Sequence, residues 1–159
     1  MNRGYLLAQF RLIENYTLRI RSIARRTRAE FLADDLLVDA AVRQLTVLFE
    51  TSHNIAKHLI ASFGWRSAKS KAEAFEILAE QGVLPAEICD AFREASRFRN
   101  LVTYQTTVID DGIVYDIAMA RAGDFEVFVS HVARWLEKSE SGGDPPERQG
   151  RVPENPAHE

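Results

Sequence analysis

Apolar residues recur at three- and four-residue steps along most of the chain, the period of one face of an α-helix. Leu6, Phe10, Ile13, Tyr16 or Thr17, Ile20 and Ile23 mark the first such face. Asp34 or Asp35 can cap the next helix. There Leu37, Ala41, Leu45, Leu48, Ser52, Ile55 and Leu59 keep the spacing for about six turns, until Gly64 stops it. Residues 65–69 read as a basic loop. Ser70 followed by Glu73 predicts a capping box for a short helix through Phe75, Leu78 and Ala79, ended by Gly82. Pro85 suits the first turn of a further helix carrying Ile88, Phe92, Ala95 and Val102. The β-branched residues from Val102 to Ile109 are poor helix material, so that helix is expected to fray or bend there. A last helix starts near Asp110 or Asp124 and carries Phe125, Phe128, Val132, Trp135 and Leu136.

This pattern predicts an all-α fold, an antiparallel bundle of four to five helices over residues 1–138. From 139 to 159 the chain changes character, with Gly-Gly, Pro-Pro and Asn-Pro and almost nothing apolar, so this stretch is expected to be a disordered tail. The chain is 159 residues long, 46% apolar and 27% charged, which suits one ordinary globular domain. No apolar run reaches the length needed to span a bilayer, and the first residues lack a signal-peptide core, so the expected location is cytoplasmic, with no membrane partner. The lone Cys89 allows no internal disulfide and no thiolate zinc cage, and is expected to pack as a small apolar residue.

The net charge of −3 is unevenly spread. The tail holds five acids and two arginines, whereas residues 1–28 hold seven arginines against Glu14 alone. That basic strip suits phosphate, an acidic protein or a solvated helix face.

Metal chemistry finds little support. Glu50 and His53 form a single Glu-x-x-His, and a di-iron bundle needs two copies plus two further glutamates. His53 and His58 are five residues apart, roughly 140° round a helix, so they cannot clamp one ion. His131 reads as a packing or surface residue, and His158 lies in the tail. No metal and no cofactor is expected. Asp110-Asp111 reads better as a helix cap than as an acidic site. Arg97 and Arg99 point in different directions on a helix, so one can meet solvent while the other is held inside.

The segment from Ser96 to Tyr104, Ser-Arg-Phe-Arg-Asn-Leu-Val-Thr-Tyr, is followed by Val108-Ile109-Asp110-Asp111-Gly112-Ile113-Val114-Tyr115. Together they resemble the signature of the HepT-like HEPN proteins, the toxin halves of HEPN/MNT toxin–antitoxin pairs. That signature is Arg-Asn, three residues, a catalytic His, one residue and a Tyr, then an Asp-Asp-x-Ile-Val-Tyr-like stretch. His58-Leu59-Ile60, Glu73-Ala74-Phe75, Leu78, Gly82-Val83-Leu84 and Asp124-Phe125 extend the resemblance over most of residues 34–138. The ungapped register puts Tyr104 at the position of the His and Thr106 at that of the Tyr.

The resemblance implies a metal-independent ribonuclease of a type VII-like pair, working as a homodimer whose two protomers form one cleft. Arg99, Asn100 and Tyr104 would be its site residues, and tRNA or mRNA its substrate. Its partner would be an MNT-type minimal nucleotidyltransferase antitoxin, which in the family adenylylates the signature Tyr; Tyr104 and Thr106 are the hydroxyls available for that here. With Tyr104 in place of His, reduced or altered activity is the expectation. The alternative is a non-catalytic interaction subunit that binds the nucleotidyltransferase.

Overall fold

The computed structural model describes residues 1–104 and 109–142. They form six helices: α1 (Arg3–Ala24), α2 (Arg28–Leu32), α3 (Asp35–Phe63), α4 (Lys71–Glu80), α5 (Ala86–Tyr104) and α6 (Asp111–Glu140). The all-α expectation holds. The extra element is α2, whose five residues are too few to show periodicity. Its signal was nevertheless local: the Thr27 side chain accepts from the Glu30 N–H, and the Glu30 carboxylate accepts from the Thr27 N–H, a complete capping box.

Helix ends follow short-range chemistry. Asp34 caps α3 by accepting from the N–H groups of Leu36 and Leu37, and Gly64 closes the helix at φ 65°, a left-handed conformation that glycine takes without strain. Ser70 caps α4 by accepting from the Glu73 N–H, but Glu73 turns its carboxylate to the Lys69 N–H, so this box is only half formed. Pro85 stands one residue before α5, where its carbonyl accepts the first helical bond from Cys89. Asp110 caps α6 through the Gly112 N–H, which settles the start of the last helix; Asp124 lies in its middle. Helix α6 runs through Glu140, two residues beyond the expected end at Lys138. The rest of the expected tail, from 143, lies outside the described residues.

Helix α3 is the centre, packed on α1, α4, α5 and α6. Arg3, Arg21 and Arg28 pair with Glu140, Glu126 and Asp116, so rising numbers on one side meet falling numbers on α6. Helix α1 is thus antiparallel to α6, and the bond from the Asn2 N–H to the His58 ring shows the same for α3. Three of the seven arginines in the basic strip are therefore matched within the chain. Such exposed pairs contribute about 0–1 kcal/mol each.

The core supplies the stability. Phe75 of α4 stacks on Phe92 of α5 at 4.5 Å, and Phe92 meets Phe128 at 4.9 Å and Phe125 at 5.5 Å on α6. Phe49 of α3 completes the cluster, 5.8 Å from Phe75. Phe31 brings α2 into the core, fully buried and 5.2 Å from the Tyr115 ring. Cys89 is buried as an apolar residue, with its thiol pushed up by burial.

Candidate functional site

The three/four spacing of Phe92, Ser96 and Arg99 places all three on the inward face of α5. Phe92 and Ser96 are buried, and the Arg99 side chain keeps only 18% of its exposure. Arg97 and Asn100 fall off this stripe and are exposed, as expected from the register. Beside Arg99 the cavity among Leu45, Phe49, Ala95, Phe98 and Ile117, about 100 Å³, is predominantly apolar.

Arg99 is held from α3. Its Nε donates to Glu50 Oε1 at 2.6 Å. Both oxygens of the same carboxylate accept from Lys71 Nζ, at 2.5 and 2.6 Å. Burial works against ionising Glu50, but the hydrogen bonds from Lys71 and Arg99 outweigh it and its pKa is lowered. Glu50 is thus a fixed anion between two cations, and it orients the guanidinium. A charge-assisted bond of this kind is among the stronger ones in a protein.

One turn after Glu50, His53 is half-buried against Phe75, with ring centroids 6.3 Å apart. Burial is the main cause, and the Lys71 charge the next, that pulls its pKa from 6.5 to about 4. Its imidazole is therefore neutral at pH 7. His58 points elsewhere: its Nε2 accepts from the Asn2 N–H, and its ring lies 5.0 Å from Tyr5.

The depressed His53 pKa has a sign for stability. Between about pH 6.5 and pH 4 the unfolded chain binds a proton there that the folded chain does not, so stability falls as the pH drops through that window. Solvent screening leaves a loss of about 1–2 kcal/mol. Urea midpoints at neutral pH and in mild acid should show a smaller acid loss for His53→Gln than for wild type. Equal losses would assign the acid sensitivity to other groups.

Tyr104 is the last residue of α5, so the helix continues through the β-branched Val102-Thr103. Thr103 assists by donating its hydroxyl to the Arg99 carbonyl at 2.9 Å. The Tyr104 side chain and all of Thr106 lie outside the described residues. Of the expected site residues, Arg99 is anchored, while Asn100 next to it is open to solvent. The residues that sequence reasoning missed are Glu50 and Lys71. The signal for Glu50 was its Glu-x-x-His spacing to His53, which speaks only to metal binding, and Lys71 had none.

The fold and this geometry define an all-helical bundle with an arginine anchored beside an asparagine near the end of its fifth helix. The chain belongs to the HepT-like family: the family model described as ribonuclease HepT-like matches residues 13–132. No curated protein matches it in sequence. Among solved structures it is similar to the tri-AMPylated Shewanella oneidensis HEPN toxin in complex with MNT antitoxin, with a TM-score of 0.77 and 20% identity over 84% of this chain and 99% of that one. A toxin–antitoxin structure with AMP-PNP gives a TM-score of 0.73 at 20% identity, covering 83% of this chain and 99% of that one. YutE from Bacillus subtilis, described as a cytosolic protein of unknown function, gives 0.76 at 18% identity, covering 91% and 95%. These likenesses establish the HEPN toxin fold. Among the described residues no helix is long and apolar enough to cross a membrane.

Proposed function

We propose that this chain is the HEPN toxin of a HEPN/MNT pair and a metal-independent endoribonuclease acting in the cytoplasm, with turnover lowered by the residue at 104. The observation that carries the reading is Arg99, half-buried and oriented by Glu50, beside the exposed Asn100 in a HepT-like chain. Cleavage by attack of the ribose 2′-hydroxyl on the adjacent phosphorus builds negative charge on the phosphate oxygens. A planar, permanently charged guanidinium suits that charge. Asn100 would orient the phosphate. A phenol, whose unperturbed pKa is near 10, can give a proton to the departing 5′-oxygen but is a poor base at pH 7, so the proton of the attacking 2′-hydroxyl would pass to water.

The reading includes a homodimer. The apolar lining beside Arg99 would close against the same surface of a second copy and bring two arginines to one cleft. It also includes a nucleotidyltransferase partner, since the Shewanella toxin of the same fold is described as tri-AMPylated and bound to MNT antitoxin. Transfer of AMP from ATP to the hydroxyl of Tyr104 or Thr106 would release pyrophosphate and leave a bulky nucleotide a few residues along the chain from Arg99. The second reading, an interaction subunit without catalysis, is favoured by the phenol at 104, because the unperturbed pKa of a phenol lies far from neutral pH and that of an imidazole close to it.

Expression of the chain alone should arrest growth and fragment cellular RNA, and Arg99→Ala should abolish both. Sedimentation should give a dimer. A growth-neutral dimer that leaves RNA intact but still binds a nucleotidyltransferase encoded beside it would replace the nuclease reading with the interaction-subunit one.

A further inference from the structure

A second polar feature opens next to Arg99, on the other side of Glu50. Between the C-terminal turns of α3, the loop after Gly64 and the start of α4 runs an open groove of about 660 Å³, lined by His53, Lys57, Trp65, Lys69, Ser70 and Lys71 among others. Lys71 belongs to both places: it lines the groove and shares the Glu50 carboxylate with Arg99. The Glu50 carboxylate therefore couples the groove wall to the arginine of the candidate site.

Its charge is one-sided. The acids of the neighbourhood are already committed. Glu73 and Glu80 both pair with Arg66, at 2.5 and 2.7 Å, and Glu50 is shared by Lys71 and Arg99. Among the described residues Lys57 and Lys69 form no ion pair, and both are exposed. The first turn of α4 forms one wall, adding the partial positive charge of a helix start. The other materials of a nucleic-acid track are present as well. Trp65 is fixed by stacking on Phe63 at 5.3 Å and by an edge contact with Trp135 at 5.5 Å, which makes a rigid aromatic wall. His53 brings an uncharged imidazole that can exchange a hydrogen bond with a sugar hydroxyl.

We propose that this groove binds the sugar–phosphate backbone of single-stranded RNA next to the scissile position, with Lys57 and Lys69 as phosphate contacts and Lys71 as the link to Arg99. The inference rests on the ribonuclease reading for its choice of ligand. A basic channel beside an aromatic wall is the general solution for holding a single strand without reading its sequence. The lysines lie at the end of one helix and in the loop before the next, so they brace the strand from two directions. Substrate choice here would then depend on strandedness and length more than on base identity.

The test uses the full chain and a short single-stranded 2′-O-methyl RNA, which cannot be cut by its own 2′-hydroxyl, followed by fluorescence anisotropy over a salt series. The double variant Lys57→Gln/Lys69→Gln should bind about tenfold more weakly, and the slope of log Kd against log salt should flatten by about 1.4, near 0.7 for each lost contact. The control Arg11→Gln/Arg25→Gln, which removes two exposed charges from the α1 side, should move neither quantity comparably. Equal effects of the two double variants, or no RNA binding by wild type, would overturn the groove. Cleavage of unmodified RNA is measured in parallel. Loss of binding confined to the groove variant, in a chain that cuts nothing, keeps the groove and removes the nuclease reading. A groove variant that binds and cuts like wild type removes the groove and keeps the nuclease.

Discussion

Tyr104→His should raise ribonuclease turnover by about 10²–10⁴-fold, the contribution typical of a tuned acid–base group. The expectation rests on proton chemistry at a fixed address. A phenol with an ordinary pKa near 10 is almost wholly protonated at pH 7, so it cannot take the 2′-hydroxyl proton during attack. An imidazole with a pKa near 6.5 is divided between both forms and can serve as base in one step and acid in the next. Residue 104 ends the helix that carries Arg99, and Arg99 is held by Glu50 from α3, which the substitution does not touch. On the proposed reading, the phosphate-binding half of the site would be kept while the missing half is restored. RNA fragmentation by the purified variant, with its melting temperature and sedimentation compared with wild type, checks the result. A folded, dimeric Tyr104→His chain no more active than wild type would show that this cleft is not a nuclease scaffold. Tyr104→Phe reads the residual role of the hydroxyl: loss of remaining cleavage assigns it a part, and unchanged cleavage assigns it none.

Phe92→Ala should destabilise the fold by about 3–5 kcal/mol, the range for a fully buried phenylalanine cut back to a methyl. Phe92 is 1% exposed and stacks on Phe75 at 4.5 Å, while Phe125 and Phe128 close on it from α6. Removing its ring takes the contact surface from three other phenylalanines at once, on two helices that cannot collapse independently. Against a total stability of about 5–15 kcal/mol for a typical domain, the loss is a large share. It should lower the melting temperature by roughly 10 °C at this chain length. Urea denaturation followed by circular dichroism gives the change in midpoint. A shift below about 1 kcal/mol would mean that the aromatic cluster is not the element holding α5 in place. Because Phe92 lies two turns from Arg99 on one stripe, the variant should also loosen the guanidinium and lower activity at temperatures where the fold survives.

The periodicity of the apolar residues was sufficient to place α1, α3, α4, α5 and α6. The helix ends were legible in part: Gly64 reads as a stop, while Asp34 or Asp35 and Asp110 or Asp124 are the candidate starts, and the fold chooses Asp34 and Asp110. Caps span a few residues, so the candidates are contained in the local string. The same holds for the separation of Arg97 from Arg99, which helical geometry alone dictates. The short α2 was readable only from its capping box, because five residues make less than two turns and show no face.

The site itself was half legible. The Arg-Asn pair and the Tyr at 104 stand out in sequence by their likeness to a family pattern. The carboxylate that orients Arg99 does not, since Glu50 is 49 residues away and its spacing to His53 argues only about metals. Lys71 was equally hidden, as a lysine in the first turn of a short helix carries no mark of what it faces. Which charges meet is decided by how α3, α4 and α5 pack round Phe49, Phe75 and Phe92. The basic strip makes the same point in reverse: three of its arginines look free in sequence and are matched by carboxylates of α6. Period and capping are properties of neighbours along the chain and can be read there. The partners of a charge are neighbours in space, fixed by which apolar faces close on each other, and only the folded bundle determines them.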